Sequence, residues 1–203
     1  MKSSIYRWVE QTGEKVFRRI GIVKGQKVLD FGCGHGNYTI PVARLIGEHA
    51  LVYALDEDKA ALDQLMSTIK SIGLKNVRRL DPIGKSRIRL DDESVDVVLL
   101  YDVLHYYYFP KEDERRQLLC EVYRVLKPNG LLSVYPTHLE PHNEPKLDDV
   151  KREIEESDFY EEDEYNGMVM VHDDNVEKGT IINFRKRERL QQGNVLTFCY
   201  DRR

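Results

Sequence analysis

The chain has 203 residues, with 31 lysines and arginines against 35 aspartates and glutamates, a formal net charge of -4, and 41% apolar against 33% charged residues. That length suits one domain with a sizeable core. So small a charge does not mark a polyanion as partner, which argues against nucleic acid bound through bulk electrostatics. Three cysteines, Cys33, Cys120 and Cys199, stand apart without CxxC pairing, and the odd count favours reduced thiols over a disulfide framework. The stretch MKSSIYRWVEQTG lacks the apolar centre of a signal peptide, and no run approaches the roughly 20 apolar residues that span a bilayer. A cytoplasmic protein with no membrane partner is expected.

In chain order, Ile5, Trp8 and Val9 fall on one side of an N-terminal helix within residues 1–24, which by position is expected to act as a lid with Tyr6 facing the site. Short β-type runs follow at Lys27 to Asp30, Leu51 to Leu55, Val77 to Leu80, Val95 to Tyr101 and Leu131 to Tyr135. Between the second and third, Ala61, Leu62, Leu65, Met66, Ile69 and Ile72 recur with helical spacing, and Gly73 ends the helix. Leu118, Leu119, Val122, Val125 and Leu126 repeat the pattern before the turn signal KPNG at Lys127 to Gly130. Apolar strands separated by helices imply βαβ units and a parallel sheet covered on both faces. In the last third, Leu147, Val150 and Ile154 mark a helix, the acidic run Glu155 to Glu164 reads as a solvated helix end and loop, and MVMV and GTIINF form an antiparallel pair. The predicted fold is doubly wound, Rossmann-like α/β: a mostly parallel seven-stranded sheet with an antiparallel C-terminal strand. One domain results, with its core over 25–187 and a tail over 188–203.

The stretch DFGCGHGNYT, Asp30 to Thr39, places Gly32, Gly34 and Gly36 where the first strand turns toward a helix, the place where open α/β sheets bind ligands. Dinucleotide binders use GxGxxG, and Asn37 stands where the last glycine of that pattern belongs. A carboxylate at Asp30 repels a phosphate and attracts an ammonium or sulfonium ion, so the loop suits a cationic ligand. Asp30 as a helix N-cap is the competing reading.

These residues resemble the first motif of class I S-adenosylmethionine-dependent methyltransferases, an acidic residue followed by GxGxG. The resemblance runs from about Val28 to Leu132, through LDE at Leu55 to Glu57, Asp81, ESVDVVLLYDVLHYY and RVLKPNGLL. The last is similar to the small-molecule branch of the family. It implies S-adenosylmethionine as cofactor, bound by Asp30, Gly32, Cys33 through its backbone, Gly34, Asp56 and Glu57 near the ribose, Asp81 and Pro82 near the adenine, and Tyr101. Asp56 as a helix cap and Asp81 in an Asp-Pro turn are the alternatives. The loop PIGKSRIRLD at Pro82 to Asp91 is longer and more basic than the family's usual connection.

The reaction implied is methyl transfer to a small molecule by in-line displacement. His105 is the first candidate for a base, since it follows the fourth strand and histidine titrates near neutrality; shaping the loop is its other reading. His138 and His142 rank behind it. A metal site from His138, Glu140 and His142 fits no familiar spacing, so none is expected. The aromatic run Tyr106, Tyr107, Tyr108 and Phe109 is placed to line a pocket or hold a sulfonium. Cys120 is expected as a partly buried, inert thiol. No NPPY-type motif supports methylation of an amide or a base amine. A nucleotide-dependent oxidoreductase and a non-catalytic cofactor-binding partner are the alternative functions.

Overall fold

The computed structural model describes residues 4–137, 139, 145–170 and 175–188. Strands β1 (Lys27–Phe31), β2 (Leu51–Leu55), β3 (Val77–Leu80), β4 (Val95–Tyr101) and β5 (Leu126–Tyr135) pair in parallel. β6 (Phe159–Met170) and β7 (Val176–Lys186) complete a seven-stranded sheet in the order β3-β2-β1-β4-β5-β7-β6. β7 runs antiparallel to both neighbours, so it alone opposes the common direction, as expected.

Successive strand residues point to opposite faces, and this divides the core in two. Val28, Val52, Val97, Leu99 and Leu131 face the helices α2 (Gly13–Arg19), α3 (Thr39–Ile46) and α4 (Lys59–Ser71). Leu29, Phe31, Val98, Leu100 and Leu132 face α5 (Glu112–Val125) and α6 (Leu147–Glu156). Each buried leucine or valine contributes about 1.5–3 kcal/mol, so the unbroken apolar strands are what a sheet covered on both sides requires. At the N-terminus, α1 (Ser4–Arg7) runs through a π-helical turn (Trp8–Thr12) into α2. Arg44 on α3 holds this segment by donating to Val9 O at 2.7 Å and pairing with Glu10 at 2.8 Å.

Two local readings need correction. β5 starts at Leu126, not Leu131: KPNG is a bulged entry to the strand, with a register shift opposite Val95 to Val97 and Asn129 at φ +56. The acidic run is not only loop. From Phe159 onward it is strand, because Phe159 is buried and the carboxylates are paired across the sheet edge, Glu161 and Glu164 with Lys151 and Glu162 with Arg185. Cys33 is a buried free thiol.

The connection from β3 to β4 contains no helix. Ile88 covers that part of the sheet, and Arg124 on α5 holds the loop by donating to Ile88 O and Leu90 O, both at 2.8 Å. A buried ion pair between Arg115 on α5 and Glu153 on α6, with both bonds at 2.7 Å, fixes the segment after β4, since Arg115 also donates to Phe109 O at 2.8 Å. Among the described residues no helix is long and apolar enough to cross a membrane.

Candidate active site

β1 and β4 are neighbours from which the chain winds in opposite directions, so their C-terminal ends leave a crevice at the topological switch point. Gly32 N–H and Cys33 N–H donate to Leu55 O at 2.8 and 3.1 Å, anchoring the glycine loop to the end of β2. Asp56 then braces it: Oδ2 accepts from Gly34 N–H at 2.7 Å, while Oδ1 accepts from Asp58 N–H at 2.8 Å. The cap of α4 is Asp58, which accepts from Ala60 and Ala61 N–H, so Asp56 is not itself the cap.

Two glycines serve different ends. Gly36, at φ +90, lies where a Cβ would run into Leu65 of α4, so its lack of a side chain lets the helix close on the loop. Gly34, at φ +50, has no atom within 4 Å of that position and leaves the backbone open to a ligand. Asn37 does other work: its carbonyl accepts from the buried Trp8 Nε1 at 2.8 Å.

A cavity of about 200 Å³ opens here. Gly32, Cys33, Gly34, Asp56, Glu57, Pro82 and Tyr101, expected to bind a cofactor, are among the residues that line it. Asp30, Asp81 and His105 are not among its lining residues, and neither is Tyr6. Asp81 turns aside, its side chain 66% exposed and accepting from Arg79 Nε at 2.8 Å. His105 is 1% exposed. Its Nε2 lies 3.1 Å from Asp102 O and its Nδ1 accepts from Tyr107 N–H at 3.2 Å, which makes this side chain a brace for the loop. His138, Glu140 and His142 lie outside the described residues, as does the tail from 189. Among the described residues no cluster of three metal-ligating side chains occurs.

Asp30 lies beneath the loop, 1% exposed, with Oδ2 accepting from Thr39 Oγ1 at 2.6 Å and Oδ1 lacking a hydrogen-bond partner. Burial pushes its pKa from 3.8 to about 7, against the Thr39 hydrogen bond and with help from the charge of Asp56. The charge the sequence placed at the rim through Asp30 is thus carried at the cavity wall by Asp56 and Glu57.

Sequence reasoning missed Asp102, Thr137 and Tyr38, all on the cavity wall. Asp102 directly follows β4 and holds φ +60, a left-handed conformation that aspartate tolerates better than most residues. Thr137, just past β5, donates through Oγ1 to Asp102 Oδ1. The signal that selected His105, its place after the fourth strand, applies to Asp102 equally. Tyr38 stacks edge-on against Tyr101 at 4.9 Å and against Trp8 at 6.2 Å. Burial drives the hydroxyl pKa of Tyr38 and Tyr108 upward, and the charge of Asp102 adds to both. Lys85, also on the wall, is paired with Glu114 at 2.9 Å and sits over the Phe109 ring at 5.0 Å.

This loop, sheet order and cavity define a Rossmann-like nucleoside-cofactor domain. Residues 29–132 match the methyltransferase domain family, and the chain belongs to it. A demethylmenaquinone methyltransferase of Lactobacillus johnsonii is 31% identical over 124 residues, 61% of this chain and 49% of that protein. An uncharacterized protein of Haemophilus influenzae is 30% identical over 119 residues, 59% of this chain and 45% of that one. The chain thus spans about half the length of the curated relatives it matches. A SAM-dependent methyltransferase from Aquifex aeolicus shares the fold with a TM-score of 0.67 at 23% identity, covering 88% of this chain and 92% of that one. One from Methanosarcina mazei does so with a TM-score of 0.69 at 16% identity, covering 86% and 98%.

The cofactor this family membership implies is S-adenosylmethionine, and the residues fit it. Open backbone at Gly34 and two carboxylates on the wall at the end of β2 suit a ligand bearing a diol and cationic groups.

Proposed function

We propose that this domain transfers a methyl group from S-adenosylmethionine to a small-molecule nucleophile. The observation that carries this reading is the bond from Gly34 N–H to Asp56 Oδ2 at 2.7 Å. A dinucleotide site needs its loop amides for the pyrophosphate. Here the Gly34 amide of the loop is already taken by the Asp56 carboxylate and is not free for a pyrophosphate. The oxidoreductase alternative loses its anchor, while a cationic cofactor gains one.

In this reading Asp56 and Glu57 accept from the ribose hydroxyls, Pro82 flanks the adenine, and Gly32 to Gly34 offer backbone contact. Asp30 lies beneath the loop and supports it through its bond from Thr39. When bound, the cofactor supplies a methyl carbon activated by an adjacent sulfonium. Tyr38, Tyr101 and Tyr108 exclude water, and their ring faces favour positive charge. The N-terminal helix serves as a cover, tied to the glycine loop through Trp8 and Asn37. Positioning supplies most of the rate in such a scheme. The Lactobacillus johnsonii relative is named a demethylmenaquinone methyltransferase; only the small-molecule character of such a substrate is carried over here.

The test is release of S-adenosylhomocysteine from S-adenosylmethionine in the presence of fractionated metabolite pools, with Asp56→Ala as control. Release by the parent chain and its loss in the variant supports the reading. Cofactor binding without release from any pool makes the domain a non-catalytic binder.

A further inference from the structure

We propose that Asp102 makes this site selective for an amine nucleophile. The inference rests on the methyltransferase reading and names the substrate class it left open. Asp102 is a carboxylate on the cavity wall, at the end of β4, on the opposite side of the crevice from Asp56 and Glu57 at the end of β2. With those two assigned to the ribose, Asp102 is the carboxylate of the wall at the end of β4, held by Thr137.

Its orientation is built, not incidental. The backbone holds φ +60 there, and Asp102 N–H donates to Tyr135 O at 3.0 Å, which fixes the turn. Thr137 Oγ1 donates to Oδ1, and His105 Nε2 lies 3.4 Å from the same oxygen. His105 is therefore a positioning residue for Asp102, which lines the cavity. Aromatic side chains surround the group: Tyr38, Tyr101 and Tyr108 line the same space. The charge of Asp102 is felt at Tyr38, Tyr108 and Tyr135.

The sign of that charge decides between nucleophiles. A neutral amine attacks with its lone pair: the N–CH₃ bond forms as the S–CH₃ bond breaks, the bonding pair stays on sulfur, and the positive charge moves onto nitrogen. A carboxylate beside nitrogen, with ring faces around it, stabilises the charge that develops in that transition state. The amine reacts after releasing one proton to solvent, and the methylated ammonium releases the next. A phenolate, thiolate or carbanion instead brings negative charge toward Asp102 and is repelled on entry. The missing NPPY-type motif concerns amides and base amines, whose lone pairs are delocalised; an alkylamine has no such need.

The test uses the full chain with benzylamine and N-methylbenzylamine against phenol and 1,4-naphthoquinol. Asp102→Asn is the variant, because asparagine also tolerates the left-handed backbone. Calorimetry on protein saturated with S-adenosylhomocysteine should show the amines binding, and Asp102→Asn should weaken them by about 10-fold or more. S-adenosylhomocysteine affinity should stay within about threefold, which shows the variant folded. In turnover, kcat/KM for the amines should fall about 10²-fold in the variant. Failure of both amines to bind, or methylation of phenol or the quinol undiminished in Asp102→Asn, overturns the inference and leaves the methyltransferase reading standing. Failure of S-adenosylhomocysteine to bind the parent chain removes that reading and this inference together.

Discussion

Gly34 and Asp56 are joined by a 2.7 Å hydrogen bond between backbone amide and carboxylate, so the glycine loop after β1 and the acidic end of β2 form one rigid unit. Cutting that link should damage the site in two ways at once, by freeing the loop and by removing a ribose acceptor. Asp56→Ala is expected to weaken S-adenosylmethionine by roughly 10- to 10²-fold, the loss of charge-assisted bonds worth about 1.5–3 kcal/mol. Asp56→Asn keeps an acceptor oxygen for Gly34 N–H and should lose less. Calorimetry on both variants checks the ranking.

The buried carboxyl of Asp30 predicts an unusual pH dependence for the ligand-free chain. Its pKa is about 7 in the folded protein against 3.8 for a free aspartate side chain, so folding favours the protonated form. Its contribution to stability is fully present below pH 3.8 and is lost as pH rises through about 7. The full excursion is of order 4 kcal/mol, at about 1.4 kcal/mol per pKa unit. Asp30→Asn should therefore raise the melting temperature at pH 8 and change it little near pH 4. A variant that melts lower than the parent at pH 8 would show that the carboxylate is stabilised in a way the buried environment does not explain.

Gly34→Ala and Gly36→Ala should separate binding from folding. At Gly36 an added methyl meets Leu65 and the backbone is at φ +90, so the variant should lose roughly 2–4 kcal/mol of stability. At Gly34 the space is open, and only the left-handed backbone at φ +50 costs, about 1–2 kcal/mol. The methyl at residue 34 instead projects toward the ligand. Denaturant unfolding alongside S-adenosylhomocysteine binding should find Gly36→Ala the less stable and Gly34→Ala the weaker binder.

Trp8 is fully buried, and its indole N–H reaches Asn37 O. Trp8→Phe keeps most of the packing and removes the hydrogen bond, so roughly 1–2 kcal/mol of stability should go. If the N-terminal helix covers the cofactor, the same variant should also speed cofactor dissociation, read by stopped-flow fluorescence. An unchanged dissociation rate with reduced stability would confine Trp8 to packing.

The fold was legible because the apolar strands and periodic helices are strong signals with one consistent reading. Errors fell where local chemistry was overridden by partners far along the chain. The acidic residues after Ser157 do not look like a strand until Lys151 and Arg185 arrive to pair them. KPNG carries turn residues, yet the sheet absorbs them as a bulge. In the site, Gly32 and Gly34 stood out by spacing, Asp56, Glu57 and Asp81 followed from the resemblance, Asp30 from its charge before the loop and His105 from its place after the fourth strand; none of these signals says which way a side chain turns. Asp102 stood among the quoted residues and was passed over, because its left-handed backbone and its bond from Thr137 leave no mark on sequence.

The central claim is that carboxylates at the strand ends select a cationic nucleoside cofactor over an anionic dinucleotide. Calorimetric titration of the intact chain with S-adenosylmethionine and with NAD, at equal ionic strength, tests it most directly. The account predicts binding of the first, abolished or strongly weakened in Asp56→Ala, and no measurable binding of the second. Tight binding of NAD that survives Asp56→Ala, with S-adenosylmethionine failing to compete, would contradict it.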